Sequence, residues 1–243
     1  MRPQQEAMPA KSTIEEIRER FDKDVERFSN LETGQQATMN APLVLELVSN
    51  VVAEALPDAR QVLDLGCGAG NFAIKVLQRL PNLDCHLVDL SAPMLKRARQ
   101  RISPATTGRV ETYHSDLRSL TFSDGSFDLI LAGAVLHHLR DEDDWKTVFR
   151  KLHSWLRPGG FLLVWDIAIF DHPPIQKVMW QRFGDYLASI KGPEYRDTVF
   201  AYIDKEDSPR SLAFQLQLLA DTGFTEFEVL HRNCVFACYY GKR

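Results

Sequence analysis

The stretch Val62-Leu63-Asp64-Leu65-Gly66-Cys67-Gly68-Ala69-Gly70 decides how this chain is read. Four strand-like residues run into a glycine loop, and Asn71-Phe72-Ala73-Ile74-Lys75-Val76-Leu77 continues as a helix. A backbone bared of side chains and followed by a helix N-terminus can approach a small ligand closely. Asp64 sharpens the expectation. It stands two residues before the first glycine, where a carboxylate repels a pyrophosphate and attracts a cationic ligand.

Outward from this stretch the pattern alternates. Strands are expected at 61–65, 84–89, 109–113, 127–132 and 161–166, and helices at 70–79, 92–102 and 142–156, with a short one near 134–140. Short apolar strands alternating with helices predict a parallel sheet covered on both faces. Arg157-Pro158-Gly159-Gly160 reads as the turn before the fifth strand. The alternation then breaks. Residues 171–209 carry an amphipathic helix around Ile175, Val178, Met179, Phe183, Tyr186, Leu187 and Ile190, and this insert is placed to roof a site. A helix over Ser211–Asp221 and two strands near 225–230 and 234–240 follow, the strands close enough to pair as a hairpin.

Upstream, residues 1–11 read as a disordered tail, and Ser12-Thr13-Ile14-Glu15 resembles a capping box. Ile14, Ile17, Phe21, Val25 and Phe28 follow at helical spacing, residues 29–40 are polar and irregular, and a helix over Pro42–Ala55 is expected to face Leu43, Leu47, Val51 and Val52 inward. The organisation is therefore a tail (1–11), an N-terminal helical lid (12–56) and a main domain (57–243) with its insert.

The 243 residues, 44% hydrophobic and 26% charged, suit one domain with a well-buried core. A net charge of −4 exerts no global pull on nucleic acid or anionic membrane. Neither a leader-like apolar run near Met1 nor an apolar stretch long enough for a bilayer is present, so a cytoplasmic protein is expected. Cys67, Cys85, Cys234 and Cys238 form no Cys-x-x-Cys pair and read as reduced, buried thiols.

Doubly wound sheets bind ligands beyond the carboxyl ends of their strands. Three such ends carry information here: the glycine loop, Asp89, which lies 23 residues past Gly66, and Asp116 in His114-Ser115-Asp116-Leu117. An acid at the position of Asp89 accepts hydrogen bonds from a nucleoside diol. Asp116 could accept from an adenine amino group, with the Leu117 amide donating to a ring nitrogen. A nicotinamide dinucleotide is disfavoured, because Asn71 stands where the third glycine of that fingerprint belongs and Asp64 crowds the phosphates.

These elements, with Phe127-Asp128-Leu129-Ile130-Leu131 and Leu156-Arg157-Pro158-Gly159-Gly160, resemble the class I S-adenosylmethionine-dependent methyltransferases across residues 40–240. The resemblance implies an α/β fold: a doubly wound, seven-stranded, mostly parallel sheet whose last strand is inserted antiparallel. It further implies that S-adenosylmethionine lies against Asp64, Gly66, Cys67, Gly68 and Gly70. Asp89 would hold the ribose, Leu90 and Met94 would pack on the adenine, Asp116 and Leu117 would read its edge, and Ala132 would sit near the methionyl end. Cys67 is expected as a small packed residue.

Methyl transfer from a sulfonium is a direct displacement, so the protein mainly aligns donor and acceptor. An acidic acceptor would gain from a base, for which His137, beside His138, is the candidate. The segment Ala132-Gly133-Ala134-Val135 lacks the Asn/Asp-Pro-Pro-Tyr-like element of exocyclic-amine methylation, and no Pro-Cys pair is present. A small organic acceptor is therefore expected and a nucleic acid is not. His114, Asp116, His137 and His138 match no metal-ligand spacing, so no metal is expected. Two alternatives stand beside this reading. One is a cofactor-modifying relative resembling the carboxy-S-adenosylmethionine synthases of tRNA modification, which needs an arginine such as Arg196 or Arg210. The other is a non-catalytic S-adenosylmethionine-binding protein.

Overall fold

β1 (Gln61–Leu65) is short and apolar because both its faces are covered. The computed structural model describes residues 11–30 and 35–243; the expected tail, apart from Lys11, and residues 31–34 of the expected irregular segment lie outside the described residues. β1 lies between β2 (Asp84–Asp89) and β4 (Phe127–Gly133). Beyond β2 comes β3 (Val110–His114), and beyond β4 come β5 (Leu156–Ile167), then β7 (Phe236–Lys242), then β6 (Glu226–Asn233). The first five strands are mutually parallel, and β7 is antiparallel to both its neighbours. The expected seven-stranded α/β sheet is what the chain forms.

Alternating side chains divide the sheet between two cores. Leu63, Leu65 and Ile130 pack with α6 (Glu142–Trp155) and α9 (Leu212–Thr222) through Trp145, Phe149 and Leu218. Val62, Leu129 and Leu131 pack on the opposite face with α3 (Ala41–Ala55), α4 (Asn71–Leu77) and α5 (Ala92–Ile102). A third apolar cluster joins α7 (Pro173–Lys191) and α8 (Pro193–Glu206) to the sheet edge: Trp180 stacks on Phe200 at 5.0 Å, and Phe183 meets Phe236 edge-on. α1 (Ile14–Lys23) and α2 (Val25–Phe28) precede them in the chain.

Several expectations shift. The insert carries the expected helix as α7 and adds a second, α8, the two separated by a break at Gly192 (φ +87). Arg157–Gly160 is not a free turn but the start of β5, entered through a register shift against β4, with Gly159 at φ +82 donating its amide to Arg243. The hairpin turns at Cys234-Val235, with Cys234 at φ +55, and not at His231–Asn233, which stays in β6. The α1 capping box uses Thr13 and Glu16, one residue later than read. On α3 the inward face is Val44, Leu45, Val48 and Val52; Leu43 is 49% exposed.

That last difference gives a test. Leu45→Ala should lower unfolding free energy by about 2–5 kcal/mol, whereas Leu43→Ala should change it by less than about 0.5 kcal/mol, measured by urea denaturation.

Candidate active site

β1 and β4 point their carboxyl ends at the crevice where strand order reverses, and a cavity lies there. Gly66 and Gly68 adopt positive φ of +58 and +51, which lets the loop double back under the cavity. A Cβ on Gly66 would meet Val135 Cγ2 at 2.5 Å, while a Cβ on Gly68 would meet nothing within 4 Å. The first glycine is needed for packing, the second borders open space.

All three strand-end acids line this cavity. Asp64 is 2% exposed, and its Oδ2 is buried without a hydrogen-bond partner. Burial lifts its pKa to about 7, opposed by the Ala73 amide and reinforced by Asp89. Asp89 accepts from the Gly68 amide through Oδ2 and from the Ser91 amide through Oδ1, each at 2.8 Å. Burial raises it to about 6 even so, those two amides holding it back. Asp116 differs. Burial opposes its charge, but Arg118 grips both its oxygens, at 2.9 Å from Nε and 2.5 Å from Nη2, and holds its carboxyl below the usual range.

Cys67, Leu90, Met94 and Leu117 also border the cavity. Cys67 is 6% exposed and burial pushes its thiol far up, as a packed residue requires. Gly70 and Ala132 do not border it. Gly70 instead lets α4 approach α5, since a Cβ there would meet Ile102 Cδ1 at 2.7 Å. Ala132 is wholly buried in the core, and the wall is made by Gly133, Ala134 and Val135 just beyond it.

Residues 62–160 match the family described as "Methyltransferase domain". An "uncharacterized methyltransferase" of Mycobacterium tuberculosis is 31% identical over 138 residues, covering 54% of this chain and 64% of that protein. The "carboxy-S-adenosyl-L-methionine synthase" of Nautilia profundicola is 25% identical over 201 residues, covering 80% of this chain and 82% of that protein. Among solved structures, a "putative O-methyltransferase" from Nostoc punctiforme superposes with a TM-score of 0.64 at 19% identity, over 90% of this chain and 60% of that one. The chain is similar, over residues 62–160, to methyltransferase domains. It thus spans less than two thirds of the mycobacterial relative's length, and the likeness to the Nostoc structure is one of fold.

A second cavity adjoins the first, and Phe21, Phe28, Ala134 and His138 border both. Phe183, Val199, Tyr202 and Ile203 from α7 and α8 line the second. His137 borders only this outer cavity. Its Nδ1 contacts Asp166 Oδ1, and its Nε2 lies 3.7 Å from Asp207 Oδ1. Burial disfavours a charged ring there, but Asp166 and Asp207 outweigh it and raise His137 to about 9. An imidazolium between two carboxylates is no free base. For His138, burial and the neighbouring His137 lower the pKa.

Sequence reading missed Asn71, Phe72, Ser115 and Arg118 as lining residues, and it missed Asp166 and Asp207. Asp166 carried a signal: it is the one charge inside the apolar run Phe161–Phe170. Asp207 carried none, lying about 70 residues from its partners in a polar stretch.

The two loop glycines make separable predictions. Gly66→Ala should destabilise the fold by about 1–3 kcal/mol through the Val135 clash. Gly68→Ala should cost only about 1 kcal/mol of backbone strain, so thermal melts of the two variants should differ clearly.

Proposed function

We propose that this chain catalyses transfer of a methyl group from S-adenosylmethionine to a small organic acceptor, by direct displacement. The observation that carries the reading is a pair of adjoining cavities: the glycine loop and three strand-end acids line the inner one, and residues of α7 and α8 line the outer one. The residues present fit the donor. The orphaned Asp64 Oδ2 awaits a donor or a cation, and each Asp89 oxygen, having taken one amide, keeps a lone pair for a ribose hydroxyl. Leu90, Met94 and Leu117 offer apolar walls for the adenine. When bound, S-adenosylmethionine supplies a methyl group already activated on a sulfonium.

The chain's own part is alignment and exclusion of water. Phe21 and Phe28, within the proposed lid of residues 12–56, cover the junction of the cavities. The largely apolar walls of the outer chamber, with Phe183, Val199, Ile203 and Phe236, suit an acceptor with an aromatic or aliphatic body. His137, charged at neutral pH, orients and does not take the acceptor's proton.

The carboxy-S-adenosylmethionine alternative has the longer relative in its favour, but among the described residues no free arginine or lysine lines the inner cavity. Neither Arg196 nor Arg210 borders the inner cavity, and Arg118, which does, is committed to Asp116 and Asp144. No helix among the described residues is long and apolar enough to cross a membrane.

Purified protein incubated with S-adenosylmethionine and a panel of small hydroxy, amino and carboxylic acceptors should release S-adenosylhomocysteine with at least one of them. Failure to bind either nucleoside in calorimetry would overturn the assignment. Asp89→Ala should weaken binding of S-adenosylhomocysteine by roughly 10- to 100-fold, the worth of hydrogen bonds to a charged group. Because Asp64 and Asp89 titrate near 7 and 6, their ionised forms grow as pH rises. Affinity for the cationic donor should therefore increase from about pH 5 to about pH 8 and level off above, read by calorimetry at each pH.

A further inference from the structure

The 3-10 turn Leu136–His138 follows β4, and Asp207 follows α8, so residues from distant parts of the chain meet at the wall of the outer cavity. One ligand atom from each of His137, His138 and Asp207 lies within 4.8 Å of the others. Asp207 Oδ1 is 3.3 Å from His138 Nδ1 and 3.7 Å from His137 Nε2. Donors bound at about 2.1 Å around a first-row ion stand roughly 3.0–3.4 Å apart, and both distances from Asp207 fall within a few tenths of an ångström of that spacing.

Three further features separate this cluster from an ordinary ion pair. His138 Nδ1 is buried and has no hydrogen-bond partner of acceptable geometry. The far nitrogen of His137 is turned to the cluster by Asp166, which holds Nδ1 from behind, as carboxylates do behind metal-bound histidines. Asp207 is fixed in turn: the next residue's amide, Ser208 N–H, donates to the His137 carbonyl at 2.7 Å, and Lys11 Nζ donates to the Asp207 carbonyl at 2.5 Å. Charge points the same way. Two buried carboxylates flank two imidazoles, and the one extra proton on His137 leaves that set negative, whereas a divalent cation that displaces this proton from Nε2 closes it at zero. The nearby Arg20 does not supply the missing charge, because it is clamped by both oxygens of Glu206.

We propose that His137 Nε2, His138 Nδ1 and Asp207 form a binding site for one divalent first-row transition-metal ion, with its remaining coordination positions open to the outer cavity. Two imidazoles and one carboxylate on one side of an ion suit zinc, iron(II) or cobalt(II) better than magnesium or calcium. The methyl-transfer reading enters only in what the open positions face: an oxygen donor of the acceptor would be held there, beside the inner cavity that His138 also borders. Ion binding itself needs neither donor nor acceptor, so it succeeds or fails independently of that reading.

The test uses the full chain, stripped with EDTA and dialysed. Titration with Co²⁺ should give visible ligand-field bands that saturate at one ion per chain, and Zn²⁺ should displace it. Binding should weaken roughly 100-fold or more in His138→Ala and in Asp207→Asn, and should persist in His172→Ala, an exposed histidine elsewhere. Absence of stoichiometric binding, or equal binding in those two variants and the wild type, would overturn the proposal. If a variant unfolds, the wild type decides: on Zn²⁺ addition the imidazole ¹⁵N resonances of His137 and His138 should shift and those of the other five histidines should not. The reverse pattern would likewise overturn it.

Discussion

A single buried carboxylate, that of Asp166 near the end of β5, organises the exit from β4. Its Oδ2 accepts from the amides of Val135, Leu136 and His137 at 3.1, 2.7 and 3.3 Å, and its Oδ1 accepts from Ile167 at 2.7 Å and contacts the His137 ring. Charge-assisted bonds in a dry interior are strong, and here several converge on one group. They hold a turn in which Ala134 takes φ +53, a conformation that non-glycine residues seldom adopt, and Ala134 donates its amide to Trp165. Val135 is thereby held beside Gly66, where a Cβ would meet its Cγ2 at 2.5 Å. Both cavities therefore inherit their shared wall from one acid.

The inner cavity shows the opposite use of carboxylates. Asp64 and Asp89 are raised toward neutrality because burial outweighs the few amides given to them, whereas Asp116 is satisfied by Arg118. Acids left short of partners are an unfavourable feature in a fold and a useful one in a receptor, since an incoming cation or hydroxyl supplies what the chain withholds.

The sheet was legible because its strands are short apolar runs ended by Gly, Asp or Pro, and because Val62–Gly70 fixes the crevice. Asp64, Asp89 and Asp116 could be placed from strand ends alone. Where reading failed, the pattern was degenerate. Along Ala41–Val52 apolar residues occupy so many positions that sequence cannot choose the inward stripe, and of Leu43, Leu47, Val51 and Val52 only Val52 lies on it. Ala132 lies in the core and the cavity wall begins one residue later, at Gly133, because Asp166, across the sheet, holds the turn by which β4 leaves the core. The role of Gly70 depends on α5 packing, and that of His137 on Asp166 and Asp207; neither long-range contact leaves a periodic trace.

The first helices are tied on both sides. Toward the glycine loop, Ser91 Oγ donates to Asp22, Asn71 Nδ2 donates to the Phe28 carbonyl, and Arg97 Nε donates to Ser29. Toward the insert, Arg20 chelates Glu206 and the Ser12 amide donates to Lys205. Detachment of this strap, a local unfolding with its own free energy, would widen the way out from beneath Phe21 and Phe28. Residence time would then be governed by how firmly two unrelated halves of the molecule grip one short segment, and not by ligand contacts alone.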